Sequence, residues 1–216
     1  MKFALPFILC LTLFVTACQR KEVKWLQEGT KAGKAGFYGE ALHAFEMAIQ
    51  ANPNSAPAYQ GKGYTLELMG KQTEAMQSFD SAIALNANYP QAWLSKGMLY
   101  LKLNKPEDAG MAFTRALQLQ PDWDQAHFEK GVALSATTRY DDAITEFSTA
   151  IHISPQVAAS YYARGKAHLE KGDTTGFLSD LKTAMKLDTA YVSRARNDSD
   201  LTALSENVQF KTIVKR

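Results

Sequence analysis

Residues 90–123 read PQAWLSKGMLYLKLNKPEDAGMAFTRALQLQPDW, and the same 34-residue pattern stands on both sides of them. Stepping by 34 places Gly29, Gly63, Gly97, Gly131 and Gly165 in one column. Ala41, Ala75, Ala109 and Ala143 form a second, with Phe177 in fifth place, and Ala48, Ala82, Ala116, Ala150 and Ala184 form a third. A bulky column holds Phe45, Phe79, Phe113, Phe147 and Leu181. Rings open each unit at Trp25, Tyr59, Trp93, His127 and Tyr161, and Pro53, Pro121 and Pro155 close three of them. Within residues 90–123, Trp93 and Tyr100 lie seven apart and Phe113 and Leu117 four apart, which is helical spacing. Between these pairs, Asn104-Lys105-Pro106-Glu107-Asp108 ends one helix and starts the next, with proline near the first turn and acids at the positive end of the dipole. Small columns let two antiparallel helices approach closely, and the bulky column fills the space between units. A unit of this size cannot bury its apolar face alone, so it is stable only in a stack.

This pattern resembles the tetratricopeptide repeat, which carries aromatic, Gly, Ala, Phe, Ala and Pro at those offsets. The resemblance implies an all-α, right-handed solenoid of about five helix-turn-helix units at residues 22–55, 56–89, 90–123, 124–157 and 158–191, with a C-terminal capping element at 192–216. A leucine and Phe210 of that element are expected to dock on the last unit while polar residues face water. Two departures mark strain. Phe177 in place of alanine predicts that the fifth pair of helices splays or that the ring points elsewhere. Gly29, Gly33, Gly36 and Gly39 predict fraying in the first unit, since a helical glycine costs about 1 kcal/mol relative to alanine.

The N-terminus is different in kind. Lys2 precedes an apolar stretch from Phe3 to Val15, too short for a comfortable membrane span and built like a secretory signal. Val15-Thr16-Ala17-Cys18 resembles the lipobox of bacterial lipoproteins. The resemblance implies a signal peptide at 1–17, lipid on Cys18, a tether at 18–21 and a site in the bacterial envelope, with Gln19 favouring the periplasmic face of the outer membrane. An ordinary signal peptide cut near Ala17, or an uncleaved anchor, remains open. The only other cysteine, Cys10, lies inside the segment to be removed, so the expected mature chain has no disulfide and holds by packing alone. At about 3.5 Å per residue, the tether starts the repeats within about 15 Å of the bilayer.

Composition narrows function. The 216 residues are 46% hydrophobic and 21% charged, which excludes disorder, and the net charge of +2 without a long basic run argues against nucleic acid as partner. Catalytic glycine motifs and metal-ligand pairs of cysteine or histidine are absent, so neither an enzyme nor a cofactor is expected. His43, His127, His152 and His168 fall in different columns, and His127 and His168 take packing positions. Before the glycine stand Lys62, Lys96, Lys130 and Arg164. These four cations either bind an anionic partner or pack their stems while their heads reach surface acids, and the second reading is favoured.

In repeats of this family the first helix of each unit lines a concave groove. Carried onto this chain, its fifth and ninth positions include Leu26, Tyr64, Leu94, Met98, Phe128, Val132 and Tyr162. Such a groove suits an amphipathic helix or an extended apolar protein segment. The competing reading is that these groups only pack neighbouring first helices together. The lysine and asparagine set that grips acidic chaperone tails is missing. The expectation is a non-catalytic, lipid-anchored scaffold or adaptor that binds protein partners and serves assembly of an envelope complex. The alternative is a structural lipoprotein that self-associates.

Overall fold

The computed structural model describes the backbone of residues 5–204 and 206–214, and side chains at 19–202, 204 and 206–214. The expected lipid site Cys18 and the other side chains of residues 1–18 lie outside the described residues. Among the described residues there are helices and no strands. The chain divides into two compact halves, Met1–Leu103 and Asn104–Arg216.

The first half holds α1 (Leu5–Lys34), α2 (Tyr38–Ala51), α3 (Ala56–Leu68), α4 (Gln72–Leu85) and α5 (Pro90–Lys102). Each helix packs on the next, and α1 and α5 also touch α3. The stretch expected as a tether, residues 18–21, is part of α1, which runs unbroken through it. A helix rises about 1.5 Å per residue, so these residues add less length than an extended tether. No helix among the described residues is long and apolar enough to cross a membrane.

The second half holds α6 (Pro106–Leu119), α7 (Asp124–Ala136), α8 (Tyr140–Ile153), α9 (Ala158–Glu170), α10 (Thr174–Leu187), α11 (Ala190–Asn197), a 3-10 turn (Ser199–Leu204) and α12 (Val208–Val214). Consecutive helices α6 to α11 pack in series, and α12 contacts both α10 and α11.

Glycine sets the closeness of each antiparallel pair. A Cβ on Gly29, Gly63 or Gly131 would meet the ring of Phe45, Phe79 or Phe147, sixteen residues on, at 2.9, 2.6 or 2.6 Å. Phe45 also closes on the following unit, where a Cβ on Gly61 would collide with its ring. Phe79, Phe113 and Phe177 are fully buried, and Phe147 is almost so.

After the first helix of each unit stands one left-handed residue: Gly36, Gly70, Asn104, Thr138 and Gly172, spaced by the repeat length, all have positive φ. After Gly36, Gly70, Thr138 and Gly172 the next residue donates its N–H to a carbonyl five residues back, as Lys71 does to Leu66 at 2.9 Å and Arg139 to Leu134 at 2.9 Å, which satisfies the open end of the first helix.

Phe177 does not splay the fifth pair. Its ring turns toward α12, 6.4 Å from that of Phe210, in a cluster with Leu181, Tyr191, Leu201 and Leu204. Leu201 and Phe210 are buried there, so the C-terminal element covers the apolar face that a further unit would have covered.

Candidate protein-binding groove

The helix faces divide the proposed groove residues into open and closed. In the first half, Tyr64 on α3 is 46% exposed, while Leu26 on α1 and Met98 on α5 are half-buried. Leu94, on α5, is 6% exposed and is therefore a packing residue rather than open surface. In the second half, Phe128 and Val132 on α7 are half-buried against the core of Leu134, Ala143, Phe147 and Ala167, and the Phe128 ring lies 5.6 Å from that of Phe147.

Tyr162, expected to face a partner, is closed off. It is 4% exposed, its hydroxyl donates to Asp198 at 2.6 Å, and its ring stacks near Tyr191 at 5.1 Å under the guanidinium of Arg194. The ninth position of the same helix, Lys166, reaches Asp198 at 3.3 Å and Asp200 at 2.5 Å. Burial pushes the Tyr162 hydroxyl well above the usual phenol range, and the Asp198 carboxylate adds to the rise. Burial works against the Asp198 charge, but the bonds from Tyr162, the Asp200 N–H and Lys166 outweigh it and hold the carboxyl below its ordinary value. The C-terminal element thus occupies the groove side of the last unit. Asp200 stands one repeat length after Lys166, in the same column of the register.

The cation column is satisfied within the fold. Lys62 meets Glu46 at 3.0 Å and Lys96 meets Asp80 at 2.6 Å, each on the preceding unit's second helix. Lys130 meets Glu146 at 2.8 Å and Arg164 grips Asp180 through two bonds of 2.8 and 2.7 Å, each on its own unit's second helix. The switch follows the sequence: Thr114 and Ser148 stand where Glu46 and Asp80 stood, and acids appear sixteen residues downstream instead. Burial opposes the charge of Lys96, yet Asp80 raises its pKa overall. These cations tie helices together, with stems packed and heads on acids.

His127 is held by Glu146 at 2.6 Å and by the carbonyl of Pro121 at 2.9 Å, and His168 lies 2.9 Å from Asp173. Among the described residues, no three His, Cys, Asp or Glu side chains gather as metal ligands would.

A tetratricopeptide repeat model matches residues 26–92, 94–158 and 128–189. The chain belongs to the tetratricopeptide repeat family. Its fold is the all-α solenoid of such repeats, shared with solved tetratricopeptide structures. MamA protein is 20% identical, with 83% of this chain and 97% of that one covered and a TM-score of 0.67. MamA from Desulfovibrio magneticus RS-1, from residue 41 onward, is 18% identical, with 82% and 98% covered and a TM-score of 0.69. YrrB, described as a tetratricopeptide protein with an unusual peptide-binding site, is 22% identical, with 86% and 98% covered and a TM-score of 0.66. No curated protein matches the chain.

Proposed function

We propose that this tetratricopeptide protein is a non-catalytic scaffold of the bacterial cell envelope, anchored by lipid on Cys18 and binding protein segments through the first-helix face of its repeats. The observation that carries the binding is that Tyr64 and Met98 in the first half, and Phe128 and Val132 in the second, stay open or half-open while the glycine, alanine and phenylalanine columns around them are sealed. Tyrosine offers large contact area at low entropic cost, and the neighbouring aliphatic groups suit the apolar side of a helix or extended segment. The peptide-binding site of YrrB gives the same fold a precedent for such a ligand. Val15-Thr16-Ala17-Cys18 supports the anchor, and Gln19 supports the periplasmic face of the outer membrane.

The test replaces Tyr64 with a photo-crosslinking phenylalanine analogue in the native host. A discrete protein adduct is expected at this position and should disappear when Met98→Glu is added to a chain that keeps its helix content. An adduct pattern unchanged by Met98→Glu would remove the groove from the proposal. Cys18→Ala should shift the chain from the membrane fraction to the soluble one; retention in the membrane would remove the lipid anchor.

A further inference from the structure

The contact between the third and fourth units is hollow, and the register shows what is missing. The second helix of each unit carries an apolar residue that packs toward the next unit: Leu42, Met76, Ile144 and Leu178. In the third unit this column holds Gly110, where an added Cβ would touch nothing within 4 Å. Two more positions lose bulk in the same place. Met76 packs with Leu99 and Leu103 in the first half of the chain, and the residues 34 further on from these three are Gly110, Ala133 and Thr137. A cavity of about 790 Å³, open on one side, lies between α6, α7 and α8 where those side chains would stand. Its floor includes the buried Ala133 and Leu134, and Met111, 67% exposed, stands at its edge.

The charges at the site do not balance. Lys130 is taken by Glu146 at 2.8 Å and Arg139 by Asp142 at 2.5 Å. Glu107, also lining the cavity, is exposed and forms no ion pair among the described residues. One repeat further on, its counterpart Asp141 pairs with Lys171. The residue at the place of Lys171 is here Thr137. The same places in the earlier units are uncharged, Gly39 with Met69 and Thr73 with Leu103, so the contact between the third and fourth units is the one that carries an acid here without a cation, and it lacks the aliphatic volume as well.

We propose that this cavity is a docking site for a single lysine or arginine side chain of a protein partner. The aliphatic stem lies on Met111, Ala133 and Leu134 in the space left by Gly110 and Thr137, and the cationic head meets Glu107. Long basic side chains combine these two properties, an apolar stem and a charged tip. The site is separate from the groove: α7 turns Ala133, Leu134 and Thr137 into it, and neither Phe128 nor Val132 lines it. The inference therefore stands whether or not the groove binds.

The probe is a fluorescein-labelled, alanine-based peptide with one lysine, compared with the same peptide carrying norleucine or glutamate at that place, titrated by anisotropy into the full chain in detergent. The lysine peptide is expected to bind, norleucine about threefold more weakly, as for loss of one exposed ion pair, and glutamate not at all. Thr137→Lys, which supplies an internal cation, and Gly110→Ile, which returns the column's bulk, should each weaken the lysine peptide at least tenfold. Glu107→Gln, a surface change that leaves the fold intact, should weaken it about threefold and abolish the preference over norleucine. The proposal is overturned if the wild-type chain does not bind the lysine peptide, if all three peptides bind alike, or if Glu107→Gln leaves the lysine preference intact.

Discussion

The indole N–H of Trp93 donates to the carbonyl of Ala87, six residues upstream, at 3.0 Å. The same bond recurs one repeat later from His127 to Pro121 at 2.9 Å and again from Tyr161 to Pro155 at 3.2 Å. Three different side chains thus act alike, each offering a flat apolar body with a polar tip that closes the loop leading into the first helix of its unit. The bond accounts for a polar-tipped ring at Trp93, His127 and Tyr161, where phenylalanine would supply no donor. Tyr161→Phe keeps the ring and loses the donor, and the exposed carbonyl can turn to water. The expected loss is about 0.5 kcal/mol, read from urea unfolding.

Thr138 has φ of 59°, a left-handed conformation that other units give to Gly36, Gly70, Asn104 and Gly172. A β-branched residue costs about 1–2 kcal/mol there, partly offset by the greater chain entropy glycine brings to the unfolded state. Thr138→Gly should therefore stabilise the chain by about 0.5–1 kcal/mol, whereas Gly70→Ala should destabilise it. Paired denaturation curves would show shifts of opposite sign.

Two helical glycines should respond oppositely to alanine. At Gly131 the new methyl carbon would stand 2.6 Å from the Phe147 ring, so Gly131→Ala should cost about 1–3 kcal/mol through overpacking. At Gly110 there is open space, and Gly110→Ala should gain about 0.5–1 kcal/mol from helix propensity alone. Thermal unfolding of the two variants checks the sign.

Asp180 is 5% exposed and both its oxygens are held by Arg164, which also donates to Ser148 at 3.1 Å. Arg164→Ala leaves a buried carboxylate without its partner, at an expected cost of about 2–3 kcal/mol, reduced from the fully buried case because the guanidinium is partly open to water. Arg164→Lys recovers only part, since an ammonium cannot make the two-pronged contact. Denaturant midpoints of the two variants should fall in that order below wild type.

Asp198 links pH to the attachment of the C-terminal element. Its folded-state pKa lies below the ordinary 3.8, so its stabilisation is present above that value and is lost as pH falls through the lower, folded-state value. Tyr162 has the opposite sign: its raised pKa preserves the bond through neutral and mildly alkaline pH, and the contribution is lost as pH rises through the folded-state value. Asp198→Asn should flatten the acid limb of the stability profile, and hydrogen exchange of the Phe210 amide should quicken in that variant at neutral pH.

The repeat length, the helix pairs and the sealed core were legible in the residues themselves. Gly63 facing Phe79 and Gly131 facing Phe147 are contacts between columns a fixed sixteen residues apart, so periodicity alone dictates them. The cation column was equally legible, because a lysine stem on a packed helix has few places to go but the nearest acid. Exposure at the groove positions was not. Leu94 and Tyr64 occupy related first-helix positions, yet one is buried and the other open, because burial depends on the size of neighbours contributed by other helices. Tyr162 lost its place on the groove to Asp198, 36 residues away, through a C-terminal element whose docking no repeat pattern describes. The hollow at Gly110 lies between these cases: each small residue is visible in its column, but only the tertiary fold brings Gly110, Ala133 and Thr137 to one point beside an unpaired Glu107. Sequence determines which faces repeat, whereas the stacking of helices decides which of those faces remain open to water or a partner.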